Sequence, residues 1–415
     1  MNELNIALAV IGVVLLTLGM FSRAISRISL LTEPLIALVA GILIGPAVFK
    51  VVDIAKWGDQ ETFLQQAALL TLGIALMGTA LRLPISYLRE YWQPLVVVLG
   101  LGMPLVWLCG SFVTYLLLGA PFLIAVLIAA IITPTDPVVA GLIVTGDVAE
   151  EHLPESLRHT ISAESAFNDG LAYPFVLLPI LILTRPPDDA VIHWLLYTIL
   201  LQVGVAAVLG LLLGYTTGKA LQWAQAKETT EPTSILAVAL ALTLSVLGIV
   251  ETLGLDSVLA VFLAGLALNA SLSRKPKESG DILERKGQVQ EVAARFFDIP
   301  IFVLLGTVLP WEGWFDLGWI GLVLAIVVLP VRRIPVVLAL KPLLGQMRRS
   351  TKDVLFLSWF GPLGAAALYY TTLSVQELQA QQVWVVGSLI ICASLVAHGV
   401  SAAPLARLYG KHTQQ

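Results

Sequence analysis

Two short polar stretches interrupt apolar sequence between residues 133 and 170. They are Thr133-Pro134-Thr135-Asp136-Pro137 and Glu164-Ser165-Ala166-Phe167-Asn168-Asp169-Gly170. The first contains two prolines. Proline lacks an N–H and clashes with the preceding turn, so the backbone from Thr133 to Pro137 is expected to unwind. In the second, Glu164 with Asn168 and Ser165 with Asp169 are i,i+4 pairs, which places all four on one side of a helix. Two carboxylates, a hydroxyl and an amide offer the oxygen ligands a hard cation prefers. Asp136 can face them from the unwound segment, with the freed carbonyls of Pro134 and Thr135 beside it.

These charges are costly where they stand. A charged residue at a helix centre in lipid costs roughly 2.5–3.5 kcal/mol. Asp136, Glu164, Asp169, Arg332 and Arg333 together cost on the order of 10 kcal/mol before pairing. They must pair, bind something or line water. One arginine is expected to neutralise one acid, Glu164 by preference, leaving a carboxylate for a movable partner. Burial favours the protonated form of a carboxylate and a bound cation favours the ionised form, so proton and cation compete for the same oxygens. Asn168 either binds the ion or satisfies backbone groups of the break. His398 reads as a packed residue. Glu251 and Asp256 read as a funnel or as solvated charge at a loop.

The surrounding chain explains why lipid is the reference medium. Of 415 residues, 58% are hydrophobic and 13% charged, and mean hydropathy is +0.89. Soluble domains carry about 45–50% apolar and about 25% charged residues, so the chain is expected to be an integral membrane protein. A net charge of −4 without basic or acidic blocks argues against nucleic acid as a partner. Cys109 and Cys392 lie in apolar sequence and suggest neither a disulfide framework nor a metal centre. No cofactor and no enzyme activity are expected. An intramembrane aspartyl protease using Asp136 and Asp169 fits less well, because Asn168 and Ser165 suit ion ligation better.

Thirteen apolar segments are candidate spans, of which 257–272 is short: 5–22, 31–50, 62–81, 94–118, 121–146, 160–184, 193–217, 233–251, 257–272, 295–309, 317–341, 352–373 and 383–408. The expected fold is therefore an all-α polytopic membrane protein, a single transporter unit over residues 1–415. Placing the N-terminus outside puts nineteen of the 24 Lys and Arg on the inner side and three, Lys50, Lys56 and Arg185, on the other. That asymmetry is the positive-inside signal, and it places the C-terminus in the cytoplasm. The polar connection 273–294 carries five of the inner cations. No positively charged leader precedes segment 5–22, which reads as a retained first helix. The break in 121–146 has a counterpart seven segments later, where Gly361-Pro362-Leu363-Gly364 interrupts 352–373. Interrupted helices at matching, inverted positions indicate two inverted-topology repeats around a midplane site.

The Glu-Ser-x-x-Asn-Asp-Gly run at 164–170 and Thr135-Asp136-Pro137 together resemble the monovalent cation:proton antiporter family. Leu43-Ile44-Gly45-Pro46, Met77-Gly78-Thr79-Ala80-Leu81-Arg82-Leu83, Ser257 to Gly265 and Phe296-Phe297-Asp298-Ile299-Pro300 fit the same family. The resemblance implies a homodimeric antiporter of Na⁺, or of K⁺ or Li⁺, against H⁺, serving pH and sodium homeostasis from a plasma (inner) membrane. It implies that core helices 94–184 and 317–409 move against dimerisation and scaffold helices 1–93 and 193–309. It assigns Asp169 as the cation and proton carboxylate, Ser165 and the Thr135 backbone as site-completing groups, and Asp136 as a lining group. Asn168, Thr133, Glu164 and either Arg333 or Arg332 support the site. Asn168 in place of a second acid resembles the electroneutral, one-for-one branch. Leu363 departs from the family, many of whose members carry arginine there, and no long regulatory tail is expected. A cation channel or cation and pH sensor built on the same site is the alternative reading.

Overall fold

The computed structural model describes residues 2–27, 32–136, 139–145, 147–227, 234–272, 295–345 and 350–411. Pro137 and the connection 273–294 lie outside these residues. Among those described, every regular element is helical. Helices suit lipid, because all their backbone hydrogen bonds close within the segment.

The chain begins with α1 (Asn2–Arg27), α2 (Glu33–Ile44), α3 (Gln60–Arg82) and the short α4 (Ile85–Glu90). Next come α5 (Trp92–Leu118), α6 (Phe122–Ile131), the short α7 (Gly141–Val144) and α8 (Asp147–His152), and the long α9 (Glu155–Thr184). They are followed by α10 (Pro187–Ala226), α11 (Ser234–Thr252), α12 (Ser257–Leu272) and α13, residues 295–307. The chain ends with α14 (Trp311–Leu340), α15 (Thr351–Trp359), α16 (Ala365–Leu378) and α17 (Gln381–Lys411).

Each of the thirteen apolar segments contains helix. Seven helices among the described residues are long and apolar enough to cross a membrane by themselves: α3, α5, α9, α10, α11, α14 extended to Leu343, and α17. The chain is a multi-pass membrane protein. The broken segments contribute shorter pieces, because each proline- or glycine-containing break divides one apolar run into two helices.

Local signals set several helix ends. Asp59 caps α3 through the Glu61 amide, and Ser350 and Asp353 form a reciprocal capping box at the start of α15. Such caps satisfy amides that have no partner within the helix. The left-handed Gly119 (φ 62°) ends α5 and turns the chain back into α6. Inside α5 and α10, Val98–Gly102 and Trp194–Val203 widen into π-helix, a local form often found at functional sites.

Two layers position the centre of the molecule. One packs α3, α10, α11 and α12 together; the other packs α5 against α6 and α14, and α17 against α14 and α16, and α16 also packs on α3. Helix α9 contacts both, touching α6, α12 and α16. The α10–α12 contact is a close helix approach. A Cβ built on Gly210 would strike the Ala260 carbonyl, and one on Gly214 the Ala264 carbonyl. Small residues at such seams let helix backbones approach in lipid, where packing replaces the hydrophobic drive.

Gly214→Val is therefore expected to destabilise the folded protein by about 1–3 kcal/mol. Gly248→Val, at an exposed α11 position facing open space, serves as the matched control. Melting curves in detergent compare the two; equal midpoints would contradict the close α10–α12 seam.

Candidate cation and proton site

The two breaks meet. Helix α6 ends at Ile131 and α15 at Trp359, and the non-helical segments that follow lie against each other. The Asp136 amide donates to the Pro362 carbonyl at 2.8 Å. This single bond ties residues that are 226 positions apart in sequence, and it occurs where each helix has released its own backbone partners.

The crossing exposes four half-helix ends. Helix N-termini carry partial positive charge and C-termini partial negative charge. The Asp136 carboxylate serves the positive ends: Oδ2 accepts from the Ala365 amide at 2.6 Å, at the start of α16, and Oδ1 from the Val139 amide at 3.2 Å, just before α7. The Arg332 guanidinium serves the negative ends. It donates to the Ile132 and Thr133 carbonyls after α6 and to the Gly361 carbonyl after α15. Asp136 and Arg332 are 2% and 1% exposed, so each acts without competing water.

Arg333, the next residue, does something different. Its guanidinium pairs with Glu164 at 2.7 and 2.8 Å and donates twice to the Leu357 carbonyl at 3.2 Å. The two neighbours point about 100° apart around the helix. Arg332 thus reaches the crossing while Arg333 reaches α9. Glu164 and Arg333 line a narrow crevice with Thr133, Asn168, Gly102 and Met103, beside the π-helical stretch of α5.

Helix α9 presents the rest of the signature to the first break. The Asn168 side chain bonds Thr135 twice: its Oδ1 accepts from the Thr135 amide at 3.0 Å, and its Nδ2 donates to Thr135 Oγ1 at 2.9 Å. Thr135 Oγ1 also meets Ser165 Oγ at 2.9 Å. Thr133 Oγ1 donates back to the Ala129 carbonyl at 2.7 Å and closes the last turn of α6. Thr135, Asp136, Ser165, Asn168 and Asp169 are thus gathered where α9 meets the crossing.

Asp169 stands apart from its neighbours. It is 0% exposed, and neither carboxylate oxygen has a hydrogen-bond partner. Its backbone carbonyl accepts the Tyr370 hydroxyl at 2.6 Å, from the first turns of α16. Buried polar atoms are normally paired, so a carboxylate without partners, beside others that are fully engaged, is the group prepared to receive something. Tyr370 is invisible to motif reasoning, since it lies 201 residues from Asp169 and carries no signature of its own.

His398 is packed, as its lone position suggested. Its Nε2 meets the Trp359 carbonyl at 3.1 Å and its Nδ1 meets Ser394 Oγ at 2.9 Å. Ser394 Oγ in turn accepts the Leu363 amide at 2.9 Å, so this pair supports the second break. Asp256 corrects the reading of a solvated loop charge: it is 1% exposed and caps α12 through the Leu259 amide at 3.0 Å.

Breaking a buried ion pair from one side leaves the other charge uncompensated and costs about 3–5 kcal/mol. Glu164→Gln and Arg333→Gln are each expected to lower stability by that order, and the double variant to recover part of it. A double-mutant cycle on melting temperatures reads the coupling; additive losses would contradict a direct pair.

Comparison with known proteins agrees with this geometry. The family described as "Sodium/hydrogen exchanger, transmembrane" matches residues 11–408. A Na(+)/H(+) antiporter of Schizosaccharomyces pombe is 29% identical over 99% of this chain and 92% of its own length. Na(+)/H(+) antiporter 2 of Zygosaccharomyces rouxii is 30% identical over 93% of this chain, which spans about half (51%) of that protein. The sodium proton antiporter MjNhaP1 of Methanocaldococcus jannaschii superposes with a TM-score of 0.75 over 98% of this chain and 99% of its own, at 19% identity, and so shares the fold. With the crossed breaks, the inverted half-helices and nearly the whole length matched, the chain belongs to the sodium/hydrogen exchanger family.

Proposed function

We propose that this protein exchanges a monovalent cation, Na⁺ in the first instance, for H⁺ by alternating access at Asp169. The observation that carries the reading is the unpartnered, fully buried Asp169 carboxylate beside two crossed breaks. An ionised Asp169 closed off from water is costly. A proton removes the charge and a cation compensates it, so only the loaded site crosses readily. The names of the fungal relatives support Na⁺ as cargo, and the family relationship speaks against the channel or sensor reading.

Charge bookkeeping supports one cation for one proton. Glu164 is matched by Arg333. Asp136 and Arg332 are opposite charges on opposite half-helix ends. Of Glu164, Asp136 and Asp169, Asp169 is the one left to take cargo, and it gives a net neutral site with either H⁺ or a monovalent cation bound. Ser165 and Thr135 complete the cation's shell, with Asp136 lining it. Asn168 and Thr133 hold the unwound segment in shape, and Arg332 and Glu164–Arg333 hold the helices that carry it.

The moving unit in this reading is the group around the crossing, residues 94–184 and 317–409. Residues 1–93 and 193–309 form the scaffold and the homodimer contact. The excess of Lys and Arg on one side supports an N-terminus outside and a cytoplasmic C-terminus across a plasma membrane.

Asp169→Asn is expected to reduce Na⁺-driven proton movement in proteoliposomes to background while the melting temperature stays near that of the unmodified protein. Exchange at the original rate would overturn the mechanism. Competition also sets the pH dependence. Below the carboxyl's own pKa, each unit fall in pH is expected to raise the half-saturating Na⁺ about tenfold, because a proton must leave first. A half-saturating Na⁺ independent of pH across its active range would contradict a shared site.

A further inference from the structure

A second group of buried oxygens lies apart from the crossing, at the end of the molecule that carries the α11–α12 loop. Gln202, on the π-helical stretch of α10, donates its amide to the Tyr173 hydroxyl at 3.1 Å and to the Gly254 carbonyl at 2.9 Å. Its backbone carbonyl accepts the Asp256 amide at 3.4 Å. These bonds fix the side-chain amide and leave its Oε1 without a partner. Asp256 uses Oδ1 to cap α12 and leaves Oδ2 without a partner. Thr198 Oγ1, one turn before Gln202 on α10, is likewise unpartnered. Thr198, Gln202 and Asp256 are 1%, 8% and 1% exposed.

We infer that Asp256, Gln202 and Thr198 form a second, transient binding station for a monovalent cation on its way to or from Asp169. An orphaned buried acceptor costs about 1–3 kcal/mol, and three on adjoining elements call for a positive guest. Among the described residues no Lys or Arg forms an ion pair with Asp256. One carboxylate, one amide carbonyl and one hydroxyl match a single positive charge that keeps part of its water. They do not match an anion.

The station lies beside the α11–α12 loop. Outward of it, Glu251 is exposed and accepts the hydroxyl of Ser257, the residue after Asp256. Inward of it, Tyr173 stands one α9 turn from Asp169. Tyr370, on α16, bonds the Asp169 carbonyl, and its ring lies 5.1 Å from that of Tyr369. Exposed Glu251 and buried Asp256 are thus joined through Ser257 and Gln202 to Tyr173, on the same helix as Asp169. Among apolar helices, charge of one sign raises the local concentration of its counter-ion.

This inference rests on the exchange mechanism proposed above, and its test separates the two. Na⁺ dependence of exchange is measured in oriented proteoliposomes, and Tl⁺ is located by difference density in the protein soaked with thallous salt. Asp256→Asn keeps the helix cap and removes the charge. It is expected to raise the half-saturating Na⁺ on the order of tenfold on the α11–α12 face only, and Asp256→Glu to restore most of it. Tl⁺ is expected beside Asp256 Oδ2 and Gln202 Oε1, to persist in Asp169→Asn, which does not exchange, and to vanish in Asp256→Asn. Gln202→Met supplies the same two readouts if Asp256→Asn does not fold. An unchanged half-saturating Na⁺, an equal change on both faces, or Tl⁺ density absent from Asp256 would each overturn the station. Loss of exchange in the unmodified protein with Tl⁺ still bound there would overturn only the mechanism.

Discussion

The structure depends on how two unwound segments are accommodated inside packed, lipid-embedded helices. Each break frees backbone amides and carbonyls that water cannot reach. Such backbone survives at membrane depth only when the protein itself satisfies it. Here the two breaks cross, and two opposite charges divide the work. Asp136 takes amides from both half-helices that begin at the crossing, and Arg332 takes carbonyls from both that end there. The polar centre is held together by its own geometry, which leaves Asp169 free of any structural task.

That division gives the site its chemistry. The hydrogen bonds among Asn168, Thr135 and Ser165 and the Glu164–Arg333 pair fix α9 against the first break. Asp169 shares the same helix face but accepts nothing through its carboxylate. In the proposed mechanism a group so placed changes its occupant without disturbing the bonds around it. The close glycine seam between α10 and α12 gives the other layer a firm surface, and in the proposed mechanism the core carrying the crossing moves against it.

Much of this was legible in the chain itself. Pro134 and Pro137 mark the first break, and Gly361-Pro362-Leu363-Gly364 marks the second, because both residue types act through local backbone chemistry. The helix spacing of Glu164, Ser165, Asn168 and Asp169 put them on one face for the same reason. The choice between Arg332 and Arg333 was not legible. Adjacent helix positions diverge by about 100°, and only the rotation of α14 against its neighbours decides which one meets Glu164. The Asp136–Pro362 bond and the Tyr370 contact join segments more than 200 residues apart, a pairing that periodicity cannot encode. Asp256 misled because a loop acid beside Glu251 reads as solvated, whereas α10 closes over it in the tertiary structure.

The central claim is that one carboxylate holds either a proton or a cation. Titrating the purified protein with Na⁺ calorimetrically, in buffers that differ in ionisation enthalpy, counts the protons released on binding. The account predicts one proton released per cation bound where Asp169 begins protonated, and none from Asp169→Asn. Na⁺ binding without proton release under those conditions, or the same release from Asp169→Asn, would contradict it.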